Sequence, residues 1–138
     1  MASPKTHGIE KAKARSYLAK ANEFLAASRT AAADGQADAA LLMAVHSGIS
    51  ACDAVTIALA GVRSADPDHL PAADLLETIA ARADEVRERA NQLRSLLKMK
   101  NLVEYEDNRA SAAQAQDGTK RASRLAEWAA AQLARARV

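Results

Sequence analysis

This sequence has little of what builds disulfide-linked, metal-binding or β-sheet proteins. Its 138 residues include 1 cysteine, 3 prolines, 5 glycines and only 3% aromatic residues. A single cysteine excludes an internal disulfide, and three scattered histidines give no metal-ligand spacing, so we predict no metal site and no cofactor. Because glycine and proline are scarce and no stretch alternates for long at period two, we also expect no sheet.

Targeting and membrane signals are lacking as well. The sequence has no signal-peptide pattern at its start and no run of about 20 apolar residues, so we expect a cytoplasmic protein without a membrane span. Glycine-rich phosphate loops, nucleophile elbows and internal repeats are also missing. The lone Cys52 stands in an apolar helical segment and is predicted to be a small buried hydrophobe rather than a reactive thiol.

What the chain does have is alanine-rich helical periodicity. Hydrophobic residues make up 49% of the sequence, and four segments carry helical spacing: about 8–33, 36–60, 71–98 and 108–135. We predict a single domain over 1–138, with about 1–7 disordered, folded as an all-α, up-down-up-down four-helix bundle. A break near Asp117-Gly118, with Thr119 capping the second half, would add a fifth short helix.

The second segment has the clearest pattern. Glycine at position 48 costs a helix roughly 1 kcal/mol relative to alanine, so we expect Gly48 to permit close approach of a neighbouring helix. The apolar stripe of this segment steps by four and three residues through Leu41, Val45, Gly48, Cys52, Val55 and Leu59.

Charge is distributed unevenly although the net charge is only +2. Residues 1–30 and 109–138 each carry six basic and two acidic residues, whereas 31–108 carry seven basic and thirteen acidic ones. If the first and last helices pack side by side, one face of the bundle becomes basic and suited to phosphates. The alternative is that these are ordinary solvated helix faces.

Polar chemistry is concentrated where the third segment ends, in the sequence LLKMKNLVEYEDN at 96–108. Lys100, Asn101, Glu104 and Tyr105 arrive there within six residues. One reading is structural: Asn101 ends the helix, Tyr105 packs against the end of the bundle, and Asp107 caps the next helix. The other reading is that these residues form a binding or catalytic site.

The order of features resembles the HEPN domain, a helical bundle of bacterial and archaeal defence and toxin–antitoxin systems. The resemblance covers about 10–110, through ARSYLAKANEFLAAS, MAVHSGISACDAVTIAL, DHLPAADLLETI and LRSLLKMKNLVEYED. Active HEPN ribonucleases carry an arginine, a polar residue and, after a short gap, a histidine at this point in the chain. Here the matching frame runs from Lys100 through Asn101 to Tyr105, so lysine replaces arginine and tyrosine replaces histidine.

Both replacements weaken the expected chemistry. Lysine offers a point charge without the planar fork of arginine. A tyrosine of pKa about 10 is only about one part in a thousand ionised at pH 7. The resemblance therefore implies a degenerate or repurposed site at Lys100, Asn101 and Tyr105. His46 and Asp53, seven residues apart on the second helix, and Glu104 are additional candidate ligand-binding residues, whereas His69 is predicted to be solvated.

Two functions from different classes follow. The first is a non-catalytic HEPN-like module that binds RNA, a nucleotide or a partner protein of the antitoxin type. The second is a metal-independent endoribonuclease that uses Lys100 and Tyr105. In either case the resemblance implies a homodimer. Trp128, the only tryptophan, would either close the core or anchor that dimer interface.

Overall fold

Five α-helices carry the fold in the computed structural model, which describes residues 5–83, 85–105 and 107–138, with only the backbone of Tyr105. The predicted all-α helical bundle is confirmed. The helices are α1 (Ala14–Ala33), α2 (Ala37–Ala60), α3 (Leu70–Ile79), α4 (Val86–Tyr105) and α5 (Ala112–Arg135). The turn between α1 and α2 is made at Gly35, whose φ of +74° favours glycine.

Helix α2 is the central element and contacts each of the other four helices. Gly118, early in α5, faces Leu41 early in α2, and Leu133, late in α5, packs with Ile57 late in α2, so the two helices run in the same direction. Helices α1 and α4 run the opposite way. The four long helices therefore have the predicted up-down-up-down order, and α3 is an additional short helix.

Two glycines let the helices around α2 approach closely. A Cβ atom on Gly48 would lie 2.7 Å from Cδ1 of Leu96, and one on Gly118 would lie 2.6 Å from Cδ1 of Leu41. Both distances are too short for real carbon atoms, so the missing side chains make room for these leucines. This confirms the expectation for Gly48.

The predicted break at Asp117-Gly118 is wrong. Helix α5 continues through both residues, because Gly118 serves a helix crossing rather than a turn. Thr119 is not a cap: its hydroxyl donates to the carbonyl of Ala115 one turn earlier, at 2.9 Å. The helix instead begins with a reciprocal capping pair between Ser111 and Gln114, so Asp107 is not its cap.

The third predicted helix is divided into two. Helix α3 ends at Ile79, and α4 begins at Val86 after a turn in which Glu85 adopts a φ of +66°. Arg94 then joins the two helices, because its guanidinium bonds Asp74 at 2.7 Å and Glu77 at 2.6 Å. Helix α4 extends to Tyr105, so the prediction that Asn101 ends a helix is also wrong.

The expectations of no sheet and of disorder up to residue 7 are wrong for the residues described. Strand β1 (Thr6–Gly8) pairs antiparallel with β2 (Val62–Ser64), and α1 follows a 3₁₀ turn at Lys11–Lys13. Strands of three residues are too short to leave a period-two pattern in the sequence. Residues 1–4 lie outside the described residues.

Cys52 and Trp128 both lie in the core, 1% and 7% exposed. Burial raises the pKa of the Cys52 thiol, as expected for an unreactive cysteine. Trp128 therefore closes the core of the chain. In the described part of the chain, α2 is the one helix long and apolar enough to cross a membrane. No apolar run of that length was expected from the sequence. Since 78% of the most apolar window of α2 is buried in the bundle, this helix is weak evidence for a span.

Candidate functional site

The loop between β2 and α3 is shaped by its own polar side chains. The Asp66 carboxylate accepts the backbone N–H of Asp68 at 2.9 Å, and the Asp68 carboxylate accepts that of Leu70 at 3.2 Å. These turns, in which an aspartate bonds the backbone two residues on, lead the chain directly into α3. Pro71 lies in the first turn of α3, where a missing backbone N–H costs no hydrogen bond within the helix. The loop thereby holds His69 at the start of the helix.

A cleft of about 350 Å³ lies where this loop meets the last turns of α4. His69 and Leu70 line one side, and Leu97, Lys100 and Asn101 line the other. The volume is in the lower part of the range for small-molecule sites. Because α3 runs antiparallel to α4, the start of α3 comes to the end of α4, and the candidate residues Lys100 and Asn101 are joined by a histidine.

Electrostatics at His69 favour its neutral form. Its pKa is lowered first by burial and then by Lys100, with His46 and Arg63 acting in the same direction and Asp68 opposing them. The imidazole therefore experiences three basic neighbours and one carboxylate. The lowered pKa favours the neutral imidazole, and the cations Lys100 and Arg63 are among its neighbours.

Lys100 and Glu104 form an ion pair on α4, with Nζ and Oε2 3.1 Å apart at a spacing of four residues. The predicted site members Lys100, Asn101 and Glu104 thus lie together on the final turns of this helix. A ligand anion at the cleft would share Lys100 with Glu104. The side chain of Tyr105, the remaining predicted member, lies outside the described residues.

His46 and Asp53 both lie on α2, seven residues or about two helical turns apart. His46 is half-buried, with its ring 5.7 Å from the ring of Phe24, and is close enough to His69 to affect its pKa. Burial raises the pKa of Asp53 to about 7, an effect that Arg63 partly opposes. Arg63 lowers the pKa of both Asp53 and His69, so it links the ionisable groups of α2 with the histidine of the cleft.

Sequence reasoning missed His69 and Arg63. The prediction that His69 is solvated is wrong, because the imidazole is half-buried in the cleft. Arg63 lies on β2, and its Nε is buried without a hydrogen-bond partner among the described residues. No local pattern marks either residue, since each acquires its neighbours from the way the loop returns along α2.

A larger and more open groove of about 670 Å³ lies between α4 and α5. Its charged lining residues are arginines and glutamates, so both signs of charge are present. The described residues that line it include no histidine, cysteine or tyrosine. The smaller cleft therefore has the more distinctive chemistry. Across the described residues, no three histidine, cysteine, aspartate or glutamate side chains come close enough to hold a metal ion.

Comparison with known proteins finds no family model, no curated protein and no solved structure that matches this chain. The class that the structure itself defines is an all-α helical bundle with a polar cleft between α3 and α4.

Proposed function

We propose that this chain is a non-catalytic, HEPN-like module that binds RNA or a nucleotide at the cleft between α3 and α4. The observation that carries the proposal is the meeting of Lys100 and Asn101 with His69 in that cleft. The basic neighbours of His69 favour an anion, and phosphate is the anion that RNA and nucleotides share. The helical bundle and the position of the polar motif late in α4 agree with the HEPN resemblance.

The shape of the cleft supports a ligand with both an apolar and a charged part. Leu97 contributes a buried apolar side chain, and Leu70 at the rim is 42% exposed, the one large hydrophobic so exposed within the described residues. A nucleobase has a flat face that can pack against apolar side chains such as these leucines. Its phosphate would then meet Lys100, with His69 and Asn101 as hydrogen-bond partners.

Binding of uridine 3′-monophosphate, measured by calorimetry, tests this proposal. We expect Lys100→Gln and His69→Gln each to weaken binding by about tenfold, because each removes a hydrogen bond to a charged phosphate. Lys98→Gln is the matched control, since Lys98 is an exposed lysine of the same helix that does not line the cleft. Equal affinity in all four proteins, or no binding by the wild type, would contradict the proposal.

The proposal includes a homodimer and a protein partner of the antitoxin type, both of which follow from the HEPN resemblance. If that contact lies at the rim of the cleft, it covers Leu70 there, which is 42% exposed. Light scattering of the purified chain should then give twice the 14.6 kDa of the monomer. Leu70→Ser should shift that mass towards the monomer, whereas Leu102→Ser, on the half-buried face of α4, serves as the control.

A metal-independent endoribonuclease is the second candidate, and the neutral His69 beside Lys100 favours it. In this reaction a base takes the proton of a ribose 2′-hydroxyl, whose oxygen attacks phosphorus while the 5′-oxygen leaves with a proton from an acid. Lys100 would stabilise the charge that develops on the phosphate. The resemblance places Tyr105 in the position of the histidine that acts as the base. In the structure His69 competes for that role.

Cleavage of mixed cellular RNA in excess EDTA separates these assignments. Activity lost in Lys100→Ala and Tyr105→Phe but kept in His69→Gln would support the pair proposed from the sequence. Activity lost in Lys100→Ala and His69→Gln but kept in Tyr105→Phe would support His69. We expect no cleavage by any of the proteins, with each folded by circular dichroism, since the principal proposal is a binding module.

A further inference from the structure

A second polar groove lies on another side of the bundle, between α1 and α5. The two helices are side by side: the Arg29 guanidinium donates to the Ser123 hydroxyl at 3.0 Å, and the hydroxyls of Ser28 and Thr119 are 2.8 Å apart. Small side chains along both helices leave a shallow groove of about 470 Å³. Among the described residues, α1 contacts neither α3 nor α4, so this groove is separate from the cleft.

Basic side chains dominate the groove. Arg29, Lys120 and Arg124 line it together with a single acid, Glu127. Lys120 and Arg124 are one helical turn apart on α5, about 6 Å along its axis, so both extend from the same face. The structure thus realises the arrangement that the charge distribution suggested, with the basic first and last helices in contact.

The three basic side chains of this groove form no ion pair among the described residues, although Glu127 also lines it. Among the described residues, Lys120 and Arg124 form no ion pair, and Arg29 bonds a hydroxyl rather than an acid. Arg121 on the same helix differs, because its guanidinium is paired with the carboxylate of Asp117 at 2.9 Å. The three basic side chains Arg29, Lys120 and Arg124 are therefore exposed to solvent in the groove.

The remaining lining groups are hydrogen-bonding and uncharged. Gln116, Thr119 and Ser123 supply an amide and two hydroxyls between the basic residues. Side chains of these types, with arginine and lysine, make most protein contacts to phosphate and sugar in nucleic-acid complexes. The groove holds no aromatic side chain for base stacking, so it suits a backbone rather than bases.

We propose that the α1–α5 groove binds the sugar–phosphate backbone of a single nucleic-acid strand. It acts independently of the cleft between α3 and α4, and it would hold a strand without reading its sequence. At a net charge of +2, the affinity depends on how these three cations are grouped and falls steeply with salt.

Fluorescence anisotropy with a labelled 20-nucleotide oligouridine, over a series of KCl concentrations, tests this proposal. Each phosphate contact to a single strand contributes about 0.7 to the slope of log affinity against log salt. The triple variant Arg29→Gln, Lys120→Gln, Arg124→Gln should therefore lower that slope by about 2. Oligothymidine should show the same wild-type slope, because both strands present the same phosphodiester backbone.

The matched control removes the same number of charges from exposed positions elsewhere: Lys13→Gln, Arg82→Gln and Arg137→Gln. This variant should keep the wild-type slope. Equal losses of slope in both triple variants, or preferential binding of a duplex, would overturn the proposal. Mononucleotide binding at the cleft should be unchanged in the groove variant, so failure of either proposal is seen separately.

Discussion

The helix crossing at Gly48 lies in the core of the bundle, whereas the cleft at His69 lies at its surface. The two regions are built in opposite ways. At the crossing, Leu96 and Leu125 fill the space that a Cβ on Gly48 would occupy, and both leucines are fully buried. At the cleft, basic and acidic groups from β2, α2, α4 and the loop before α3 act on one half-buried imidazole. The crossing is decided by shape, and the cleft is decided by charge.

This difference predicts which measurements respond in each region. Shape complementarity contributes to the free energy of unfolding, because a close-packed interior cannot relax fully around a missing or added atom. Interactions among partly solvated charges contribute less to stability and more to protonation and binding. Substitutions at the crossing should therefore change stability, and those around the cleft should change pKa values and ligand affinity.

The largest effect is expected for Leu96→Ala. Leu96 is fully buried and packs against both Gly48 and Gly118. Its truncation should lower the free energy of unfolding by about 2–5 kcal/mol, because the side chain loses its burial and leaves a cavity. Urea denaturation measures this value. Leu70→Ala is the control at an exposed leucine, and a comparable loss there would remove the distinction between the two regions.

Asp53→Asn should reduce the dependence of stability on pH. Burial raises the pKa of Asp53 from 3.8 to about 7, so the folded chain binds this proton more tightly than the unfolded chain does. Wild-type stability contributed by this group is therefore present below about pH 4 and is lost as pH rises to about 7. The difference in free energy of unfolding between Asp53→Asn and the wild type, measured by urea denaturation, should favour the variant by on the order of 1–3 kcal/mol more at pH 8 than at pH 4.

That advantage of Asp53→Asn should shrink as the pH is lowered towards 4. Asp34→Asn, at an exposed aspartate in the turn after α1, supplies a control for the change of charge alone. A difference between wild type and Asp53→Asn that stays constant over this pH range would show that the carboxyl does not titrate there.

Gly48→Ala should have a more favourable effect on stability in the Leu96→Ala background than in the wild type. In the wild type, the added methyl meets Cδ1 of Leu96 at 2.7 Å, and this clash offsets a helix-propensity gain of about 1 kcal/mol. In Leu96→Ala that contact is gone and the contact with Cδ1 of Leu125 at 3.2 Å remains, so the same change should stabilise the variant by at most about 1 kcal/mol. A double-mutant cycle measured by urea denaturation gives this coupling. Strict additivity would mean that the two positions do not share the space.

The smallest effect is expected in the titration of His69. Lys100 lowers the pKa of this imidazole, so Lys100→Gln should raise it towards its ordinary value without a large change in stability. Nuclear magnetic resonance titration of the imidazole protons measures the shift. Lys98→Gln, at an exposed position, should leave the pKa of His69 as it is in the wild type. An equal shift in both variants would mean that the cleft responds only to total charge.

Local signals in the sequence predicted part of the candidate site. Lys100, Asn101 and Glu104 lie on one short stretch of helix, and the spacing of four between Lys100 and Glu104 already predicts their ion pair. His69 is 31 positions away and was assigned to solvent. The loop that carries it reaches α4 only because α3 folds back, antiparallel, against that helix.

The sequence by itself determined the helical content, the turn at Gly35 and the need for a small residue at Gly48. Each depends on periodicity or backbone conformation over a few neighbouring residues, which the order of amino acids expresses directly. The tertiary structure alone decided that Gly118 is a crossing rather than a break, that His69 lines the cleft within reach of the charge of Arg63, and that α1 and α5 align their basic residues. These depend on distances between remote segments, which are set when the whole apolar surface is buried at once.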